Sequence, residues 1–194
     1  MKRSQTPHEQ ATDEVLMTRI AKRDKQAFDV LYNRYHKRLY GYLYRMCWQN
    51  QVIAEDLLQE TFIRVFKAAK DFDPSRKFVT WLFSIGSNLV KNEYRRQSVR
   101  GEALTLDENQ AWEDPNPTQA HDQGQWQVAL QKALALLPES HTGVFWLRHE
   151  QQMDIKAIAD ILQIPEGTVK SRLFHTHRHL AKHLVSYKHI LHAS

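Results

Sequence analysis

No proline falls between Pro7 and Pro74, and that whole stretch holds a single glycine, Gly41. Proline removes a helix hydrogen bond and glycine adds backbone freedom, so a chain without them has little to stop a helix once it starts. The apolar spacing agrees with long helices. Phe28, Leu31, Tyr35, Leu39, Tyr42 and Met46 recur three and four residues apart, as do Leu58, Phe62, Val65 and Ala69, and then Phe78, Leu82, Ile85 and Leu89 after the turn around Pro74. Asp13 reads as the cap of a shorter helix over Glu14 to Ala21. No segment alternates as a strand does, and the expected fold class is all-α.

The net charge of +5 conceals a segregation: residues 1–97 carry 18 basic and 11 acidic groups, residues 98–125 carry 1 and 6, and residues 126–194 carry 8 and 5. The middle block also holds Gly101, Pro115, Pro117 and Gly124 among polar residues, the composition of a solvated tether. We therefore expect a polar tail over 1–12, a helical domain over 13–97, a flexible acidic linker over 98–125, and a second helical domain over 126–187. The single cysteine, Cys47, excludes an internal disulfide and a multi-cysteine zinc site, and reads as a small buried hydrophobe. The longest apolar run is five residues, Ala133 to Leu137, far short of the ~18 that span a bilayer, and nothing after Lys2 and Arg3 resembles a signal-peptide core. The cytoplasm is the expected location, with no membrane insertion.

In the second basic block, Ile155, Ile158, Ala159 and Leu162 stripe one short helix, and Val169, Leu173, Leu180 and Leu184 stripe the next, with Pro165 placed as its first residue. This is a helix-turn-helix pattern, whose second helix would enter the DNA major groove. With Val169, Leu173 and Leu180 inward, a step of about 100° per residue turns Glu166, Lys170, Ser171, Phe174, His175 and Arg178 outward. Lysine and serine can reach base edges or phosphate, an exposed phenylalanine can touch thymine methyls, and Arg178 can hold the backbone. His175, His179 and His183 recur every four residues, a spacing that can chelate metal but here lacks a carboxylate or thiolate; we expect no metal and read them as cations added when pH falls.

In the first block, Asp56, Gln59, Glu60 and Ile63 form an exposed polar face with an apolar edge beside inward Leu58, Phe62 and Val65. Two carboxylates repel phosphate, so this face suits a protein partner. Further on, Asn88 and Asn92 lie one turn apart amid Lys91, Arg95 and Arg96. Amides for base edges and cations for the backbone suit single-stranded DNA.

Four motifs then line up in order: Asp56-Leu-Leu-Gln-Glu-Thr-Phe, Thr80-Trp-Leu-Phe-Ser-Ile-Gly-Ser-Asn, Leu137-Pro-Glu-Ser, and Ile164-Pro-Glu-Gly-Thr-Val-Lys-Ser-Arg-Leu. Across residues 13–97 and 126–184 the chain resembles the bacterial RNA polymerase sigma factors of the extracytoplasmic-function group, which join a region 2 domain to a region 4 domain. The resemblance implies that Asp56, Gln59, Glu60, Phe62 and Ile63 dock on the clamp helices of the polymerase largest subunit, with the flap as a further contact. It implies that Asn88 captures a flipped base of the minus-10 element, with Lys91, Asn92, Arg95 and Arg96 around it. Lys170, Ser171, Phe174, His175 and Arg178 would bind the minus-35 element. His175, Thr176, His177 and His179 depart from the basic continuation usual there. Implied partners are core polymerase, promoter DNA both duplex and single-stranded, and an anti-sigma factor; a stress response is the implied setting. No cofactor is implied, and no nucleotide loop or catalytic triad appears. A helix-turn-helix regulator that never joins polymerase would leave the 54–66 face idle, and a histidine-rich metal-binding protein would leave both DNA faces idle.

Overall fold

A computed structural model describes residues 7–99 and 122–185, and every regular element among them is an α-helix. Each early helix starts where a short polar side chain can cap it. Helix α2, Asp13–Ala21, is capped by Thr12, whose hydroxyl accepts from the Val15 amide at 3.4 Å. Asp13 therefore sits one position inside, and its carboxylate is free to take Arg34 Nη1 at 2.7 Å and the Tyr35 hydroxyl on the next helix. Helix α3, Lys25–Met46, is capped by Asp24, and α4, Gln51–Lys67, by Asn50. The tight connection between them is turned by Trp48 and Gln49, both left-handed at φ 52° and 60°. Helix α5, Phe78–Val99, follows the turn around Pro74.

The stretch expected as a tail is partly folded. Residues Pro7–Gln10 form a short turn, α1; His8 bonds Asp24 at 2.9 Å, and the Glu9 carbonyl accepts from Arg34 Nη2 at 2.7 Å. The His8 bond, with the Ala27 amide second, holds the Asp24 carboxyl below its ordinary value.

Leu16, Leu31, Leu39, Leu43, Leu82 and Phe83 meet between α2, α3 and α5 with essentially no exposed surface. Gly86 on α5 lets Leu39 approach: a Cβ there would lie 3.1 Å from its Cδ1. Most of the apolar stripe residues are buried, while Phe28, Tyr35, Leu58 and Ile85 are half-buried.

The C-terminal body comprises α6, Asp122–Ala135; α7, Glu139–His149; α8, Ile155–Leu162; and α9, Glu166–His183. Asp154 caps α8 through the Ala157 amide at 2.7 Å, and Gln163 closes it in the left-handed region at φ 55°. Pro165 is the residue before α9 rather than its first, extended at ψ 146°. Val169, Leu173, Thr176, Leu180 and Leu184 face the core, with Thr176 donating to the Arg172 carbonyl at 2.8 Å. The acidic stretch 98–125 lies mostly outside the described residues; its first two residues end α5 and its last four open α6.

The two bodies touch along α3 against α7 and α5 against α8. The sequence implied only a flexible joint; the contact mixes apolar side chains such as Met46, Val90 and Leu162 with polar pairs, and which faces meet across a linker leaves no periodicity to read. Phe83→Ala should cost about 3–5 kcal/mol of unfolding free energy from the cavity it leaves, whereas Phe174→Ala, on a residue 63% exposed, should cost under about 0.5 kcal/mol. Urea unfolding of both variants checks the contrast.

Candidate functional site

Three surfaces hold the side chains singled out above. The first is an open groove of about 970 Å³ between α3 and α4. Phe28, Tyr32, Leu58, Phe62, Ile63 and Phe66 line it, with lysine and carboxylate at the rim. Its aromatic floor is ordered: Phe28 meets Phe62 and Phe66 edge-on at 6.1 and 5.8 Å, and Tyr32 lies 4.8 Å from Phe62. Of the five residues expected on a protein-docking face, Gln59, Phe62 and Ile63 line this groove. Asp56 is exposed outside it, and Glu60 is tied to Arg64 Nε at 2.7 Å, one turn along the same helix. The sequence reading assigned Phe28 to the core and passed over Tyr32 and Phe66. Their spacing, 28 to 32 on α3 and 62 to 66 on α4, was the available signal, since side chains four apart share a helix face.

The second surface is α5. Asn88 and Asn92 are exposed, and neither amide has a hydrogen-bond partner among the described residues. Arg95 is exposed nearby. Lys91 is different: its ammonium donates to the Leu162 carbonyl at 3.0 Å, and burial, then the charges of Arg172 and Arg95, hold it below its ordinary pKa. Arg96 is also engaged, paired with the buried Glu93 at 2.9 Å. Trp81 is half-buried, 5.0 Å from the Phe72 ring.

The third surface is the outer face of α9. Lys170, Ser171, Phe174, His175 and Arg178 are all exposed there. Arg172, absent from the expected set, is half-buried and donates to the Ser140 carbonyl at 3.3 Å. His179 bonds the Ala133 carbonyl at 2.9 Å, with the His183 ring 4.2 Å from its own on the same face of α9, while His175 stays exposed; His177, outside that row, meets His149 Nε2 to Nε2 at 2.8 Å. Three or more metal-ligating side chains do not converge anywhere among the described residues. Cys47 is buried, and desolvation pushes its thiol up to about 12, which makes it inert as a nucleophile.

These features describe a two-body helical protein with a helix-turn-helix at one end and an unfilled apolar groove at the other. Residues 31–100 match Sigma-70 region 2 and residues 127–180 match Sigma-70 region 4. The ECF RNA polymerase sigma factor SigW of Bacillus subtilis is 32% identical over 174 residues, which cover 85% of this chain and 92% of that one. The RNA polymerase sigma-H factor of Pseudomonas aeruginosa is 28% identical, covering 90% and 95%. Among solved structures, CnrH in complex with the cytosolic domain of CnrY shares the fold at a TM-score of 0.66 and 24% identity, covering 90% of this chain and 97% of that one. The chain belongs to the extracytoplasmic-function (ECF) group of RNA polymerase sigma factors.

The histidine contacts carry a pH consequence. Burial first, then neighbouring cations or histidines, lowers the pKa of His141, His149 and His183 below the ordinary 6.5. The folded body resists protons that the unfolded chain accepts, so its stability is full above pH ~6.5 and declines as pH falls toward the folded values. Melting temperature should drop between pH 7.5 and 5.5, and His149→Gln should shrink that drop.

Proposed function

We propose that this chain binds core RNA polymerase, directs it to particular promoters and helps open them, catalysing no step itself. The observation that carries the reading is the unfilled α3–α4 groove on a chain that also presents a helix-turn-helix. An ordinary duplex-DNA regulator needs the second and has no use for the first. An aromatic floor with Gln59 and Ile63 at its edge suits a helical protein partner, whose apolar side chains would fill it. The clamp helices of the largest polymerase subunit are the partner the family offers, with a flap contact through the C-terminal body. Asp56 would act from outside the groove as a rim charge, setting encounter rate more than strength.

On α5, the unpartnered amides of Asn88 and Asn92 suit base edges, and Arg95 the adjacent phosphates. Unpairing costs a few kcal/mol per base, and a bound extruded base repays part of it. On α9, Lys170, Ser171 and Phe174 would read the minus-35 element, with His175 and Arg178 toward the backbone. The two domains would be residues 13–97 and 126–187. No described helix is long and apolar enough to cross a membrane, and work on promoters places the protein in the cytoplasm. An anti-sigma factor as partner is supported by solved relatives such as RpoE of Bartonella quintana with the anti-sigma factor NepR, TM-score 0.58, 21% identical, covering 81% of this chain and 96% of that one.

Two variants separate docking from opening. Ile63→Glu places a charge at the rim of the apolar groove on a residue already 37% exposed. It should weaken assembly with core polymerase by about 1–3 kcal/mol while leaving the melting temperature unchanged, and a binding titration reads the loss. Asn88→Ala removes an amide but no core volume. Binding to core polymerase and to duplex minus-35 DNA should persist while permanganate reactivity of unpaired thymines falls.

A further inference from the structure

Two histidines on different helices of the C-terminal body meet nitrogen to nitrogen. His149 is the last residue of α7 and His177 stands in the second half of α9, and their Nε2 atoms lie 2.8 Å apart with the ring planes at 69°. Both residues are exposed, so solvent and small ions reach them. Phe145, one turn before His149, is buried and packs against both rings, its centre 4.6 Å from that of His149 and 6.4 Å from that of His177. Within the contact one Nε2 carries the proton and donates it, and the other accepts. Neither Nδ1 has a hydrogen-bond partner among the described residues, so the fold holds neither ring in one tautomer. His179, whose Nε2 is spent on the Ala133 carbonyl, lacks that freedom.

An ion held by both nitrogens at about 2.0–2.1 Å, the usual metal–imidazole distance, sets them about 2.9 Å apart at a right angle and about 3.3 Å apart at the tetrahedral angle. The observed 2.8 Å is just inside that range, and a swing of each ring by a few tenths of an ångström admits the ion. No proton need leave the protein: the one shared between the nitrogens moves through solvent to Nδ1 of the ring that held it, and both Nε2 lone pairs turn to the metal. Ligation requires neutral imidazole. Burial first, then His177 and Arg148, holds the His149 pKa below the ordinary 6.5, so this ring is neutral near pH 7. The local field also favours a cation. Helix α7 ends at His149, and the C-terminal end of a helix carries partial negative charge. Arg148, the neighbouring cation, turns its guanidinium to the Met153 carbonyl at 2.9 Å.

We propose that His149 and His177 form a two-histidine clip for a divalent transition-metal ion that prefers imidazole, Zn2+, Ni2+ or Cu2+, with water in its remaining positions. Mg2+ and Ca2+ do not suit it, because they take oxygen ligands. Cys47 is buried and does not compete. The ion joins the end of α7 to α9 and ties that helix down without using Lys170, Ser171, Phe174, His175 or Arg178. Two neutral ligands hold a metal more weakly than the three or four of a structural or catalytic site, so the clip fills and empties with metal supply. Its effect is on how firmly α9 is held, and it is independent of which promoter α9 reads.

Zinc chloride added to the untagged full-length chain at pH 7.5 tests the clip. The chain has eleven histidines, so the variants carry the assignment. Relative to EDTA, zinc should raise the melting temperature of the wild type by a few degrees, as a ligand bound to the folded state does. His149→Gln and His177→Gln should each weaken the tightest site in a calorimetric titration about tenfold or more, because either change removes one arm of a chelate. The double variant should lose no more of the melting increment than either single variant, and His183→Gln, in the neighbouring stacked pair, should keep it whole. Melting in EDTA shows that each variant folds. One equivalent of Cu2+ on the unaltered chain gives a second reading, an electron paramagnetic resonance spectrum split by two imidazole nitrogens. Equal increments in the wild type and both single variants, an increment that also falls in His183→Gln, or splitting by one nitrogen would overturn the clip and leave a shared proton as the whole of the contact.

Discussion

Everything in the N-terminal body hangs on α3 being one unbroken helix. At 1.5 Å per residue, the 22 residues of Lys25–Met46 make a rod ~33 Å long, and three of its faces are in use. Leu31, Leu39 and Leu43 build the core, Phe28 and Tyr32 floor the groove shared with α4, and Arg38, Gly41 and Arg45 meet the C-terminal body. A kink anywhere along it would move one face relative to the others. The absence of proline leaves the rod unbroken, and Gly41, its one glycine, faces Glu150 just past the end of α7.

The surfaces differ in how they are held. The groove is lined by rings whose contacts with one another fix their orientation before any partner arrives, so little order is left to be lost on binding. The α9 face rests on Val169, Leu173, Thr176 and Leu180 beneath it, and its outward side chains extend freely. The α5 face combines both conditions: its asparagines are free, while Lys91 is tied to Leu162 and Arg96 to Glu93. Cations engaged with protein are withheld from phosphate until those contacts break. Local protein contacts thus set which side chains on each surface are free and which are engaged.

The C-terminal histidines show what a repeat along the sequence leaves open. Spacing of four puts His175, His179 and His183 on one helix face, and His179 and His183 lie ring to ring there, but spacing says nothing of what that face packs against. Helix α6 supplies the Ala133 carbonyl to His179, and α7 supplies His149 to His177. The neighbours draw His179 and His183 into packing and leave His175 exposed, and partial desolvation holds the His183 pKa below its ordinary value.

The sequence by itself determined the helices, their approximate ends, the apolar faces that form each core, and the outward set on α9. Those properties follow from spacing along one chain, where a residue's neighbours are its own third and fourth successors. The four ordered motifs likewise fixed the family. Only the tertiary structure decided that Phe28, Tyr32 and Phe66 join Phe62 in one groove, that Glu60 is spent on Arg64 and Arg96 on Glu93, and that the helix-turn-helix lies along α5. The groove depends on which faces of two helices meet. The domain contact includes polar pairs over a hundred residues apart, Arg38 with Gln151 and Arg45 with Glu150. Hydrogen bonds and ion pairs between such distant residues obey no periodicity, so only the packed chain brings them together.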